Sequence, residues 1–132
     1  MRPPESVLIV SPDATTLQSL TRALMRSGLP VVPALGWAEG EVRLRRIPVS
    51  VVVADMEGLS PDELAKVRRL RSSFPNVGVI ALVSLASPEV RAAEAQGLLL
   101  AVLGKPVALG HLEETLRAAL GWTGTEGRRE RA

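Results

Sequence analysis

The chain has 132 residues, of which 46% are apolar, so it is long and apolar enough to fold as one domain with its own core. It has no cysteine, which excludes disulfides and thiol chemistry, and its single histidine, His111, cannot by itself build an ordinary zinc site. The net charge is +2, and no apolar stretch approaches the roughly 20 residues of a membrane span. We therefore expect a cytoplasmic protein.

Short apolar runs alternate with segments of helical periodicity along the first half of the chain. The run at 7–10 predicts a strand that is covered on both faces, and the runs at 31–35 and 49–54 predict a second and a third strand. Leucines at helical spacing predict a first helix that ends at Gly28, and 38–47 predicts a weaker second helix.

The second half continues the same alternation. Ser60 is a good N-cap, Pro61 stands at the first helical position, and Glu63 completes a capping box, so a third helix begins here. The patterns then predict a strand, a short helix, a strand and a final helix at 77–83, 87–97, 98–103 and 106–120.

Five β–α units in succession predict an α/β fold, with a parallel sheet and helices on both faces. For five strands the flavodoxin-like doubly wound order 2-1-3-4-5 is the common solution, and it places the carboxyl ends of the first and third strands side by side. The first strand runs into Ser11 and the third into Asp55. We therefore expect these two residues to share a crevice at one rim of the sheet.

This order of elements, with Asp55 ending the third strand and Lys105-Pro106 ending the fifth, resembles the response-regulator receiver family over about residues 7–120. The resemblance implies that Asp55 is the acceptor of a phosphoryl group from a histidine kinase. It also implies that Lys105 pairs with the carboxylate or the phosphate, and that the peptide bond before Pro106 is cis.

The chain departs from the family pattern where the family holds Mg²⁺. The adjacent acidic residues of the family are replaced by Ser11 and Pro12, and Asp13 comes one residue late, where it is placed to cap the first helix. The candidate metal ligands are therefore Asp13, Asp55 and the backbone carbonyl of Glu57.

Two further departures concern the fourth and fifth strands. Aligning the apolar run puts Val83 where the family has a hydroxyl that follows the phosphate, with Ser84 one step on. Ser84 is thus a candidate phosphate-sensing residue only if the strand end bends, because a slip of one residue turns a strand side chain to the opposite face. The segment LLLAVLG before Lys105 also lacks the aromatic residue of the family.

Together these features predict an atypical, degenerate receiver module that is not an enzyme and signals through protein contacts, with weak or absent phosphorylation. Lys105 then serves as a structural partner of Asp55. The expected cofactor is none, with Mg²⁺ only if the acidic site is functional. The alternatives are a phosphorylatable, Mg²⁺-dependent receiver using Asp55, or a nucleic-acid-associated scaffold. The scaffold would use the arginine clusters at 43/45/46, 68/69/71 and 128/129/131.

The resemblance also implies partners and boundaries. The receiver-like domain is expected over 1–121, and 122–132 is expected to be a flexible tail or the start of a linker. A histidine kinase or an output domain is the expected partner, with a homodimer through 88–97 and 109–120. We expect no membrane contact, and nucleic-acid binding is not expected for this chain alone.

Overall fold

Strands and helices alternate strictly along the chain in the computed structural model, which describes residues 6–121. The strands are β1 (Ser6–Ser11), β2 (Val31–Leu35), β3 (Val49–Asp55), β4 (Gly78–Val83) and β5 (Ala101–Gly104). The helices are α1 (Ala14–Arg26), α2 (Gly36–Arg46), α3 (Pro61–Ser73), α4 (Pro88–Ala95) and α5 (Leu109–Ala119).

The five strands form one parallel sheet in the order β2-β1-β3-β4-β5, which confirms the predicted topology. In the register of the sheet Val10 lies opposite Ala54, and Asp55 lies opposite Leu82. The carboxyl ends of β1, β3 and β4 therefore meet at one rim, where the order of the strands reverses.

The side chains of each central strand divide between two cores, because successive residues of a strand point to opposite faces. Leu8 and Val10 of β1 belong to the core under α2, α3 and α4, whereas Val7 and Ile9 belong to the core under α1 and α5. Burying a side chain of this kind stabilises a fold by roughly 1.5–3 kcal/mol. The continuous apolar runs of the sequence thus reflect a sheet that is covered on both faces.

The start of α3 forms only half of the predicted capping box. The Ser60 hydroxyl accepts the amide N–H of Glu63 at 3.2 Å, as expected. The Glu63 carboxylate, however, accepts the indole N–H of Trp37 at 3.2 Å. Glu63 therefore ties the first turn of α3 to the start of α2.

The fifth strand begins three residues later than the predicted strand at 98–103. The amides of Leu98 and Leu99 both donate to the carbonyl of Ala93, so these two leucines close the C-terminal turn of α4. Leu99 is buried there. The strand itself covers Ala101–Gly104, because the first leucines of the run are used by the helix that precedes it.

The last helix is also shorter than the predicted 106–120. It covers Leu109–Ala119, and Ala108 at its N-cap has no side-chain oxygen with which to cap it. Leu109 stands at the first helical position and is 39% exposed, whereas Leu112 and Leu116 are fully buried against the sheet.

Candidate functional site

The carboxylate of Asp55 lies at the rim with a partner on each oxygen. Its Oδ1 accepts from Nζ of Lys105 at 2.7 Å, and its Oδ2 accepts from the Ser11 hydroxyl at 2.8 Å. The side chain of Asp55 is 8% exposed and that of Lys105 is 25% exposed. The peptide bond between Lys105 and Pro106 is cis. The fold brings Ser11, Asp55 and Lys105 together at the rim, and the serine hydroxyl contacts the carboxylate directly.

Ser11 is buried and fully bonded. Besides donating to Asp55, its oxygen accepts the amide N–H of Asp13 at 3.1 Å, and it lies 3.2 Å from the Asp13 carbonyl oxygen. It is the one buried polar residue within 6–121. Its burial is tolerated because its hydroxyl both donates and accepts a hydrogen bond. Ser11 thus fixes both the Asp55 carboxylate and the turn that leads into α1.

Asp13 is the N-cap of α1. One of its oxygens, Oδ2, accepts the Thr16 amide at 2.9 Å and the Thr16 hydroxyl at 2.5 Å. That Asp13 is a metal ligand stays a prediction. Its carboxylate caps the helix because the first free amides of a helix compete for an acceptor that stands directly before them.

The backbone carbonyl of Glu57 is also occupied. It accepts the amide N–H of Ser84 at 2.9 Å and that of Leu85 at 3.1 Å, which uses both lone pairs of the oxygen. The expected third ligand of a metal ion is therefore engaged in joining the β3–α3 and β4–α4 loops. These two loops form one wall of the rim.

These donors do not fit a Mg²⁺ ion. The ion requires hard oxygen ligands in a near-ideal octahedron, usually with one or two carboxylates. Here the Asp55 carboxylate is bonded to a lysine and a serine, Oδ2 of Asp13 caps α1, and the Glu57 carbonyl accepts two amides. Within 6–121 no group of three His, Cys, Asp or Glu side chains could hold a metal ion.

Ser84 lies at the same rim as Asp55, but its side chain is not hydrogen-bonded to Asp55, Ser11 or Lys105. β4 ends at Val83, which is buried in the core under α2, α3 and α4, so Val83 faces away from the Asp55 carboxylate. Ser84 follows in a bend and is exposed. Its amide bonds to the Glu57 carbonyl, whereas its hydroxyl makes no hydrogen bond to any residue in the described range. The phosphate-sensing role of Ser84 stays a prediction.

The rim opens into a crevice of about 780 Å³ that the sequence did not reveal. Asp55 and Ser84 line it on the sheet side, and Trp37, Lys66 and Leu85 line it on the outer side. Leu85 is 68% exposed, although it is apolar. The crevice forms because the half-buried indole of Trp37, held by Glu63, stands at the start of α2 and walls the space between α2 and α3. No local sequence pattern indicates the bond between Trp37 and Glu63, which are 26 residues apart.

The pKa of Asp13 lies below its ordinary value of 3.8, mainly because its carboxylate accepts the Thr16 hydroxyl and also because it accepts the Thr16 amide. A carboxyl group whose pKa is lower in the folded than in the unfolded state stabilises the fold above its unfolded pKa, and the stabilisation is lost as the pH falls through the folded-state pKa. We therefore expect Asp13→Ala to melt a few degrees below the wild type at neutral pH. The gap should close in acid.

Thermal melts of the wild type, Asp13→Ala and Asp13→Asn over a series of pH values test this expectation. Asp13→Asn keeps a good N-cap that does not titrate, so it should melt close to the wild type at neutral pH. A melting difference for Asp13→Ala that stays constant down to the most acidic folded samples would show that the carboxylate does not stabilise α1 in this way.

No family model matches the chain, and no curated protein matches it. Solved structures match it in fold. A response regulator from Thermotoga maritima is 22% identical with a TM-score of 0.77, covering 89% of this chain and 98% of that one. A pilus assembly-related protein from Burkholderia pseudomallei is 24% identical with a TM-score of 0.76, covering 90% and 92%. An adenylate cyclase from Rhodopirellula baltica is 20% identical with a TM-score of 0.79, covering 96% and 95%.

These similarities establish the fold, which is that of response-regulator receiver domains. In residues 6–121, no helix has both the length and the apolar character needed to cross a membrane.

Proposed function

We propose that this chain is an atypical receiver module of two-component signalling, which acts through protein contacts and carries little or no phosphate on Asp55. The observation that carries the proposal is the double engagement of the Asp55 carboxylate, by Lys105 on one oxygen and by Ser11 on the other. In this reading the module has no catalytic activity of its own. The receiver fold and the position of Asp55 support the class, and the bonding of Asp55 supports its atypical character.

The chemistry of phosphoryl transfer explains why this arrangement disfavours phosphorylation. A carboxylate that attacks a phosphoryl group must approach an anion, so positive charge has to be gathered around the transferring group. Lys105 supplies one positive charge, and it already neutralises Asp55 itself. The position from which a second acidic side chain would hold a cation is taken by the neutral hydroxyl of Ser11, 2.8 Å from the carboxylate.

Exposure to a small phosphodonor tests the proposal. Incubating the full chain with Mg²⁺ and acetyl phosphate, followed by intact mass measurement, should give no species heavier by one phosphoryl group. Asp55→Asn is the control, and it should likewise gain no phosphoryl group. A heavier species that disappears in Asp55→Asn would instead assign a phosphorylatable receiver using Asp55.

A variant with acidic residues at 11 and 12 tests whether these two positions are the reason that Asp55 is not phosphorylated. Ser11→Asp combined with Pro12→Asp places two carboxylates beside Asp55, and it should gain a Mg²⁺-dependent adduct that the wild type lacks. If the wild type and this variant both stay unmodified while circular dichroism shows that both are folded, the block lies elsewhere than in Ser11 and Pro12.

We further propose that a second copy of the chain binds the surface formed by 88–97, β5 and 109–120. A groove of about 450 Å³ runs between the start of β5 and α5, and it is lined by Leu100 and by small residues of α5 such as Ala118. Leu100 is 53% exposed at its edge. β5 is an edge strand of the sheet, so this side carries unpaired backbone groups as well as apolar surface.

Sedimentation velocity over a range of protein concentrations tests this dimer. Leu100→Glu should weaken self-association about tenfold or more, because a charged side chain would be buried against apolar surface. Met25→Glu is the matched control, since Met25 is 57% exposed on α1 and should leave association unchanged. A wild-type chain that stays monomeric at high concentration, or equal effects of the two variants, would contradict the proposed surface.

A further inference from the structure

β2 is an outer strand of the sheet, so one row of its backbone groups faces away from β1. The amide N–H of Val7 donates to the carbonyl of Pro30 at 2.8 Å, and Val7 lies opposite Val31 in the register. Because successive residues of a strand turn their backbone groups to opposite edges, the outward-facing groups belong to Val31, Pro33 and Leu35. A row of this kind is a template to which another chain can add a strand.

Pro33 removes one hydrogen-bond donor from the outer row. Its ring nitrogen carries no hydrogen, so it cannot donate to an added strand. It lies opposite Ile9 in the middle of β2 and is exposed. Proline occurs in sheets mainly on outer strands, with its nitrogen on the solvent side, which agrees with the register of β2. An added strand would therefore leave one of its carbonyls without a partner at this position.

The carboxylate of Glu39 occupies a second donor of the outer row. Its Oε2 accepts the amide N–H of Leu35, the last residue of β2, from the first turn of α2. The carboxylate thus takes the bond that the carbonyl of an added strand would make. Glu39 also forms an ion pair with Arg43 at 3.9 Å, within α2. The amide of Val31 is the one outward-facing donor that neither Pro33 nor Glu39 removes.

The bond between Glu39 and Leu35 has two separable effects. A carboxylate in the first turn of a helix stabilises the start of the helix, so the bond contributes to the stability of α2. The same bond closes the edge at Leu35, which is apolar and 50% exposed. Without it, β2 would present an unpaired amide beside an exposed apolar side chain, and unprotected outer strands of this kind associate with one another. Loss of the first effect lowers the melting temperature, whereas loss of the second raises self-association.

We propose that Pro33 and Glu39 keep the β2 edge closed to strand addition by a second copy of this chain. Two copies of one strand edge complement each other, because an antiparallel pair related by a two-fold axis matches each donor with an acceptor. A second copy is therefore the partner that an open β2 edge would fit. β5, the other outer strand, contains no proline between Ala101 and Gly104. The proposal does not rest on the dimer proposed for the groove between β5 and α5, because it concerns the opposite edge of the sheet.

Sedimentation velocity with the full chain tests the proposal in a Leu100→Glu background, which removes the contribution of the surface between β5 and α5. Pro33→Val combined with Glu39→Ala restores both donors and should strengthen self-association about tenfold or more over the Leu100→Glu parent. Hydrogen exchange locates the contact, because the amides of residues 33 and 35 should exchange fast in dilute samples and slowly in concentrated ones. Pro33→Val alone breaks no hydrogen bond of the fold and should strengthen self-association about threefold.

The matched control is Pro33→Val combined with Glu39→Gln. It loses the same charge, but its side-chain amide oxygen still accepts the Leu35 amide. It should therefore associate about threefold less strongly than the double variant with Glu39→Ala, and about as strongly as Pro33→Val alone. Equal association of the two double variants would overturn the proposal, and so would association without protection of the β2 amides. Folded variants that melt lower than the parent but associate no more strongly would also overturn it, since Glu39 would then only stabilise α2.

Discussion

Replacing Lys105 with methionine is expected to lower the free energy of unfolding by about 2–4 kcal/mol. Removing one partner of a buried ion pair leaves an uncompensated charge, which costs about 3–5 kcal/mol when the pair is fully buried. The Asp55 side chain is 8% exposed, and only the Ser11 hydroxyl would remain to bond it. The Lys105 side chain is 25% exposed, so water reaches the site and reduces the cost below the fully buried figure.

The companion variant Asp55→Asn should cost less, about 1–2 kcal/mol, because the freed ammonium group of Lys105 can turn towards water. Urea unfolding of the two single variants and of the double variant gives the interaction energy between the side chains. We expect the double variant to be more stable than the sum of the single losses predicts. A loss below about 0.5 kcal/mol for Lys105→Met would show that the pair does not hold the rim together.

Replacing Gly40 with leucine is expected to destabilise the fold by about 3 kcal/mol, the upper end of the usual cost of overpacking a core. Gly40 is buried in α2 where the helix crosses β1, and a Cβ atom at this position would lie 3.1 Å from Cγ2 of Val10. The helix would have to move away from the sheet to admit a larger side chain. Because α2 carries Trp37, the crevice beside Asp55 would change shape as well.

Chemical denaturation measures the loss, and Trp37 fluorescence in a Trp122→Phe background reports the displacement of α2. Gly110→Ala is the matched control, because Gly110 is exposed in α5 and a Cβ there meets nothing within 4 Å. It should be neutral or stabilise the fold by up to about 0.5–1 kcal/mol through its higher helix propensity. A Gly40→Leu variant as stable as the wild type would mean that α2 does not pack closely on β1.

If Lys105→Met lowers the free energy of unfolding as expected and no phosphoryl adduct forms on Asp55, the rim residues stabilise the fold and do not accept phosphate. Output would then depend on surfaces that stay available regardless of phosphorylation. The groove between β5 and α5 is one such surface.

The sequence by itself determined the order of strands and helices, the strand order of the sheet, and the meeting of Ser11 and Asp55 at one rim. These follow from the spacing of apolar residues and from the rules by which consecutive strands and helices are connected. Both depend on residues that are close together in the sequence. The caps at Asp13 and Ser60 could be predicted for the same reason, since each bonds an amide three residues on.

Only the tertiary structure decided what each rim residue does. The Ser11–Asp55 and Lys105–Asp55 bonds join residues 44 and 50 positions apart, and the Glu57 carbonyl accepts amides from another loop. The late start of β5 depended on a competition between helix and strand for the same leucines. Such contacts depend on how segments distant in the sequence pack together. Local periodicity therefore does not predict which of several possible partners a polar group will bond.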